Sequence, residues 1–314
     1  MNSLPSKPDL LHQALTLGRV SNLPSVWTNC LAAWAINLSV NERVRGMPEW
    51  NELGILQLDL LLPLILGASL LYMGGCTLND AADEKFDRKH NPHRPIPSGA
   101  VTSRFVWILG ITEMLGGGWA LLHSAQCETT WVLALGLCII AYDIVHKKWA
   151  GGVFLMGGCR LLLWASAATC GESTVIYPLS WIWGGTLAFY VIGISLFARG
   201  EAKEGEDAPR ISILFLFASP LVALAALVHW NNLDPIRVFL VNAVGLFIAW
   251  IAFQAITQIR EGKKGAIGQG VSRLLAGICV TDTVVISFCM PVLIAPLLSL
   301  YALALLLQKK FAAT

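Results

Sequence analysis

Four residues at the end of an apolar run carry the clearest chemical signal in this sequence. Asn79, Asp80, Asp83 and Asp87 come directly after Gly74-Gly75-Cys76-Thr77-Leu78. On a helix that continues to Asp87, residues three and four apart stack on one face, so the three carboxylates point the same way with Asn79 in line. Like charges at this spacing repel, and the arrangement becomes favourable once a cation neutralises it. Hard oxygen ligands that leave room for water and phosphate oxygens are what Mg2+ prefers. The spacing therefore predicts a Mg2+ diphosphate site. In a soluble protein the same pattern ordinarily reads as a solvated acidic helix end, balanced here by Lys85, Arg88 and Lys89.

The segment just beyond the acidic face favours the metal reading. Asn91-Pro92-His93-Arg94-Pro95-Ile96-Pro97-Ser98-Gly99 is a Pro-rich turn that would hold Arg94 at the same mouth. A guanidinium there can bind phosphate oxygens. The pattern NDxxDxxxD followed by NPxRPxPSG resembles the first aspartate motif of the UbiA superfamily of membrane prenyltransferases, and it matches at Asn79, Asp80, Asp83 and Asp87. Two further stretches are similar to that family. Arg19-Val20-Ser21-Asn22 resembles its substrate-contacting Arg and Asn, and Tyr142-Asp143-Ile144-Val145-His146-Lys147-Lys148 closes the fourth apolar run. Tyr142 could face a developing allylic cation with its ring, and Lys147 could reach a diphosphate from the membrane edge. The plainer alternative is an interfacial aromatic beside topology-setting lysines.

The family's second acidic motif is where this chain departs. Between Arg199 and Arg210 it carries Glu201, Lys203, Glu204, Glu206 and Asp207 in place of the usual aspartates. Glu201 and Glu204 are one helical turn apart and could ligate a second Mg2+, with Arg199, Lys203 and Arg210 available to the diphosphate. A solvated charged loop is the competing reading. The departure resembles the EboC-like branch of the superfamily more than its quinone-synthesising members.

The elements that must position these residues are membrane helices. The chain has 314 residues, of which 55% are hydrophobic and 13% charged. A soluble domain carries about a quarter charged residues. Spanning the hydrocarbon needs about 20 apolar residues, and nine such runs lie between Asn22 and Gln308, the last read as Thr283 to Gln308 across Pro291 and Pro296. Before them, Leu10, Leu11, Ala14, Leu15 and Leu17 fall near one face and predict a short interfacial helix.

Positive charge marks one side of this pattern. Lys85, Arg88, Lys89, Arg94 and Arg104, then Lys147 and Lys148, Arg199, Lys203 and Arg210, and Arg260, Lys263, Lys264 and Arg273 occupy alternate connections. Arg43, Arg45, Arg237, Lys309 and Lys310 fall on the other side. Retained positive charge sets orientation, so the N-terminus and the acidic site are expected to be cytoplasmic and the C-terminus outside, in a bacterial inner membrane. The net charge of +2 is too small to argue for nucleic acid as a partner.

Eight cysteines show no CxxC pair and read as small buried hydrophobes; His123 and Cys127 alone do not make a zinc site. Arg160 and Glu113 lie inside apolar runs, where an ionisable residue is a functional candidate unless another buried polar group pairs with it.

The reading that results is an all-α, polytopic transmembrane bundle of about nine spans, with residues 1–314 as a single domain. The resemblance implies Mg2+-assisted transfer of a prenyl group from a polyprenyl diphosphate to a lipophilic or aromatic acceptor among membrane lipids. The alternative is a non-catalytic relative that binds or moves an isoprenoid. An ion-coupled transporter would place its charges at mid-bilayer on broken helices, whereas the acidic groups here gather at one membrane face.

Overall fold

The computed structural model describes residues 10–44, 57–146, 149–171, 174–201, 210–229, 234–261 and 265–311. These are helical almost throughout. A short helix α1 (Leu10–Leu17) is followed by a 3-10 turn at Val20–Asn22 and the first long helix, α2 (Leu23–Val44). Then come α3 (Leu58–Ala82), α4 (Glu84–His90), α5 (Ser103–Trp119), α6 (Thr129–Val145), α7 (Gly152–Ala168) and α8 (Pro178–Glu201). The chain closes with α9 (Arg210–Leu216), α10 (Ala218–His229), α11 (Pro235–Arg260), α12 (Ala266–Cys289) and α13 (Ile294–Leu307). Five helical segments, Leu58–Ala82, Ser103–Ser124, Pro178–Arg199, Pro235–Arg260 and Ala266–Cys289, are long and apolar enough to cross a membrane. Four shorter apolar helices accompany them, and the chain is an integral membrane protein of the polytopic helical class.

Local sequence explains the breaks. Pro220 cannot donate to the carbonyl of Leu216, so the pass from Arg210 to His229 divides at Phe217 into α9 and α10. Pro291 ends the helix before it, and a 3-10 turn at Pro291–Leu293 reverses the chain into α13.

Helices α3 and α5 are sealed by glycine. A Cβ on Gly117 would lie 2.6 Å from the backbone nitrogen of Leu71, and one on Gly74 would lie 2.9 Å from that of Met114. Gly67 and Gly110 continue the same close approach at the neighbouring levels. Small residues let membrane helices approach until their backbones touch, where dispersion and weak Cα–H contacts hold them without a hydrophobic drive from lipid. Below this seam α5 passes into a π-helical turn at Ala120–Ser124.

Helix α12 is the core of the bundle: every residue from Ala276 to Cys289 is buried. It corrects the boundaries of the last apolar run. The stretch Thr283–Gln308 is not one span; Ala266–Cys289 forms one continuous helix, and α13 is a separate, shorter return. The expected C-terminal side changes with it. Gln308 Nε2 donates to the Ser272 carbonyl at 3.0 Å, near the start of α12, and the Phe311 ring lies 5.1 Å from that of His12 in α1. The first and last described helices, α1 and α13, therefore meet at the same end of the bundle. Lys309 and Lys310 join the basic side instead of opposing it, so the charge asymmetry is cleaner than the sequence pattern suggested.

Two intramembrane charges find partners. Glu113 accepts from Thr77 Oγ1 at 3.0 Å, and Arg160 donates to Ser25 O at 3.2 Å and Ser25 Oγ at 3.0 Å with its guanidinium 5.6 Å from the centre of the Tyr72 ring. A third, Asp282 on α12, accepts from Thr28 Oγ1 at 2.6 Å. Among the described residues the cysteines are free thiols, most of them buried.

Candidate active site

The acidic face forms where α3 passes into α4. The helical ladder continues through the joint, since Asp83 N donates to Asn79 O and Asp87 N to Asp83 O, each at 2.9 Å. This keeps Asp80, Asp83 and Asp87 on one side. Their exposures are 9%, 8% and 2%, while Lys85, Arg88 and Lys89 on the opposite side are exposed. A solvated acidic helix end would show the reverse, so the carboxylates face the bundle.

Each buried carboxylate has a basic neighbour. Arg94 Nη1 donates to Asp80 Oδ1 at 3.0 Å and to Asp87 Oδ2 at 2.9 Å, and Asn91 Nδ2 donates to Asp87 Oδ1 at 2.8 Å. Arg19 Nη2 approaches Asp80 Oδ1 to 3.9 Å. Arg19 stands in the left-handed region, with φ 47°, which costs a non-glycine residue of the order of 1 kcal/mol. That conformation turns the chain from α1 into α2 and leaves the guanidinium at the acidic face. Asn22, just beyond it, donates from Nδ2 to the Tyr72 hydroxyl at 3.1 Å.

The end of α6 forms the second wall. Asn79 Nδ2 donates to Asp143 Oδ1 at 3.0 Å. His146 Nε2 lies 3.5 Å from Asp83 Oδ2, and the His146 ring stacks on Tyr142 with centroids 4.9 Å apart. The contact with Asp83 pushes the His146 imidazole above its usual pKa. Asp143 and His146 were not singled out from the sequence. The signal was an acid in the last turn of an apolar run and a histidine one turn beyond Tyr142, but their partners lie more than 60 residues away in the chain.

The structure brings Arg19, Asn22, Asn79, Asp80, Asp83, Asp87, Arg94 and Tyr142 to one mouth. Arg199 is engaged elsewhere: it donates to the carbonyls of Ala150 at 2.9 Å and His146 at 3.1 Å, tying α8 to the connection between α6 and α7. Glu201 closes α8 and Arg210 opens α9, without their side chains being described; Lys147, Lys203 and Glu204 lie outside the described residues.

The donor set suits Mg2+. Among the described residues no three His, Cys, Asp or Glu side chains form a group that could hold a metal alone, and Arg94 Nη1 bridges Asp80 and Asp87. Mg2+ seldom uses an all-protein cage; one or two carboxylates with substrate phosphates and water complete its octahedron. Buried carboxylate and carboxamide oxygens at the end of α3 match that requirement.

Comparison with known proteins gives the fold and the family. Two solved structures share the fold: a UbiA homologue from Aeropyrum pernix K1, at 15% identity and TM-score 0.59 over 85% of this chain and 96% of that one, and a digeranylgeranylglyceryl phosphate synthase, at 15% identity and TM-score 0.57 over 88% and 97%. Curated relatives include 4-hydroxybenzoate octaprenyltransferases. The one from Aliivibrio salmonicida is 28% identical over 48% of each chain, that from Paracidovorax citrulli 31% over 46% of this chain and 45% of its own, and that from Vibrio campbellii 36% over 29% and 28%. The chain spans about half the length, or less, of these relatives. The model of the UbiA prenyltransferase family matches residues 46–264, more than half of the chain. With the buried aspartate motif at its mouth and the helical fold around it, the chain belongs to the UbiA prenyltransferase family.

Proposed function

We propose that this protein transfers a prenyl group from a polyprenyl diphosphate to a lipophilic or aromatic acceptor, with Mg2+ at the acidic face. The single observation that carries the reading is the burial of Asp80, Asp83 and Asp87 beside Arg94 and Arg19 at one end of a membrane bundle. Three carboxylates withdrawn from water at a helix end are costly without cations, and the arginines alone would serve a structural site. Their position at the mouth of a membrane bundle supports a diphosphate whose tail stays in the hydrocarbon. The activity for which the octaprenyltransferase relatives are named supports the same chemistry.

In this reading Asn79, Asp80, Asp83 and Asp87 would hold Mg2+, whose chemistry when bound would be to neutralise diphosphate charge and make the diphosphate a better leaving group. Arg94 and Arg19 bind the phosphate oxygens, and Lys147, Lys203 and Arg210 are further candidates for the same diphosphate. Glu201 and Glu204 supply a second set of ligands. Tyr142 presents its ring to the allylic cation, and the closely packed helices keep water from capturing that cation before the acceptor attacks. Positive charge around the mouth supports a cytoplasmic position for it.

The test is incubation of the purified protein with radiolabelled polyprenyl diphosphates and an aromatic acceptor, with Mg2+ or with EDTA. Mg2+-dependent diphosphate release with a labelled product is expected. Tight binding without release under either condition would instead support a lipophile-binding relative, the reading favoured by the altered Glu201–Glu204 segment.

A further inference from the structure

Asn79 has a partner that lies outside the acidic face. Its Nδ2 donates to Asp143 Oδ1 at 3.0 Å, joining the end of α3 to the end of α6. Three residues further on, His146 reaches Asp83, with its Nδ1 held 3.1 Å from the Tyr142 carbonyl. The end of α6 thus braces two members of the acidic motif, Asn79 and Asp83, each through a side chain.

A carboxamide carries an acceptor oxygen on one side and two N–H donors on the other. Only the oxygen can ligate a cation. Rotation by half a turn about the last side-chain bond exchanges the two and aims N–H groups at the metal. We propose that Asp143 is a positioning residue for Asn79: it holds the amide nitrogen, which leaves Oδ1 as the atom presented to a Mg2+ diphosphate. An ionised Asp143 accepts only and does not stabilise the flipped amide, whose oxygen would face its carboxylate. The inference rests on the reading of Asn79 as a metal ligand, and it predicts a role in metal affinity for a residue that lies beyond the aspartate motif.

The experiment measures Mn2+ binding, by electron paramagnetic resonance, to the full-length detergent-solubilised protein with inorganic diphosphate. Circular dichroism checks the helical fold of each variant. Asp143→Ala should weaken Mn2+ binding by roughly 10–100-fold, the usual effect of losing an outer partner of a metal ligand. Asp143→Asn can donate to the flipped amide as readily as it accepts from the native one, so it no longer selects an orientation and should weaken binding much as the Ala variant does. In an Asn79→Ala background, Asp143→Ala should add no further loss, because the coupled pair is already broken. Should Asp143→Ala lose helicity, Asp143→Ser, too short to reach Asn79, takes its place. Parent-like binding by the Ala or Ser variant would overturn the proposal. So would parent-like binding by the Asn variant, or additive losses in the double variant, which would make Asp143 a direct charge on the metal. Absence of Mn2+ binding by the parent protein itself would overturn the metal reading and this inference with it, an outcome distinct from the others.

Discussion

Arg94 donates from Nη1 to Asp87 Oδ2 at 2.9 Å, and Asp87 is 2% exposed. The same nitrogen also serves Asp80. A buried carboxylate that loses its cation keeps the cost of leaving water without the compensating attraction. Arg94→Gln should therefore lower the stability of the metal-free protein by about 2 kcal/mol, the scale of a hydrogen bond to a charged group. Mg2+ with diphosphate should recover part of that loss, since metal then takes over the neutralising role. Thermal unfolding in detergent with and without both ligands checks this, and an unchanged melting temperature in the metal-free state would contradict it.

Asp83 is the member of the acidic face closest to α6, through His146. Asp83→Ala should abolish Mg2+-dependent diphosphate binding while the helical fold survives, because one carboxylate fewer lowers metal affinity and also relieves repulsion between like charges. Titration of the purified variant with Mg2+ and diphosphate, followed by calorimetry, measures the effect. Binding equal to that of the parent protein would remove Asp83 from the metal site.

Two neighbouring glycines separate packing from propensity. Gly117→Ala puts a methyl group 2.6 Å from Leu71 N, so the helices must move apart at a cost of about 1–3 kcal/mol. Gly118→Ala meets nothing within 4 Å and should be neutral or slightly stabilising by helix propensity. Melting temperatures of the two variants, measured side by side, should fall on opposite sides of the parent value or leave only Gly117→Ala below it.

The return of α13 makes a topological prediction. A reporter fused after residue 314 should be found on the same side of the membrane as one fused at the N-terminus, since Phe311 meets His12. Fluorescent-protein and alkaline-phosphatase fusions, active on opposite sides, distinguish this from an odd number of crossings.

The acidic face was legible in the sequence because its information is local. Spacings of three and four residues on one helix fix a shared face whatever surrounds it. The turn holding Arg94 was legible for the same reason, through its prolines. The bracing by Asp143 and His146 was not, because a contact between α3 and α6 leaves no trace in the spacing of either helix. Arg199 read as available to a diphosphate as one of a cluster of basic residues, and its bonds to the Ala150 and His146 carbonyls at the connection before α7 left no trace in the spacing. The last apolar run misled for a different reason. Gln269, Ser272, Arg273 and Asp282 break the hydropathy of α12 although it is the most enclosed helix, so hydropathy alone shifted the span towards the more apolar α13. Enclosure by protein permits Asp282, which is buried, whereas Gln269, Ser272 and Arg273 lie at the more open start of the helix.

The glycine seam between α3 and α5 also restricts traffic. Gly67, Gly74, Gly110 and Gly117 bring the two backbones together along the stretch of α3 that leads to Asn79 and Asp80. No acyl or prenyl chain can slide between helices whose backbones already touch, and parting them would strip contacts from several turns at once. A lipid-borne molecule that reaches the acidic mouth sideways from the bilayer must therefore come through some other helix pair, and the α3–α5 side of the bundle acts as a fixed wall against which the remaining helices can move.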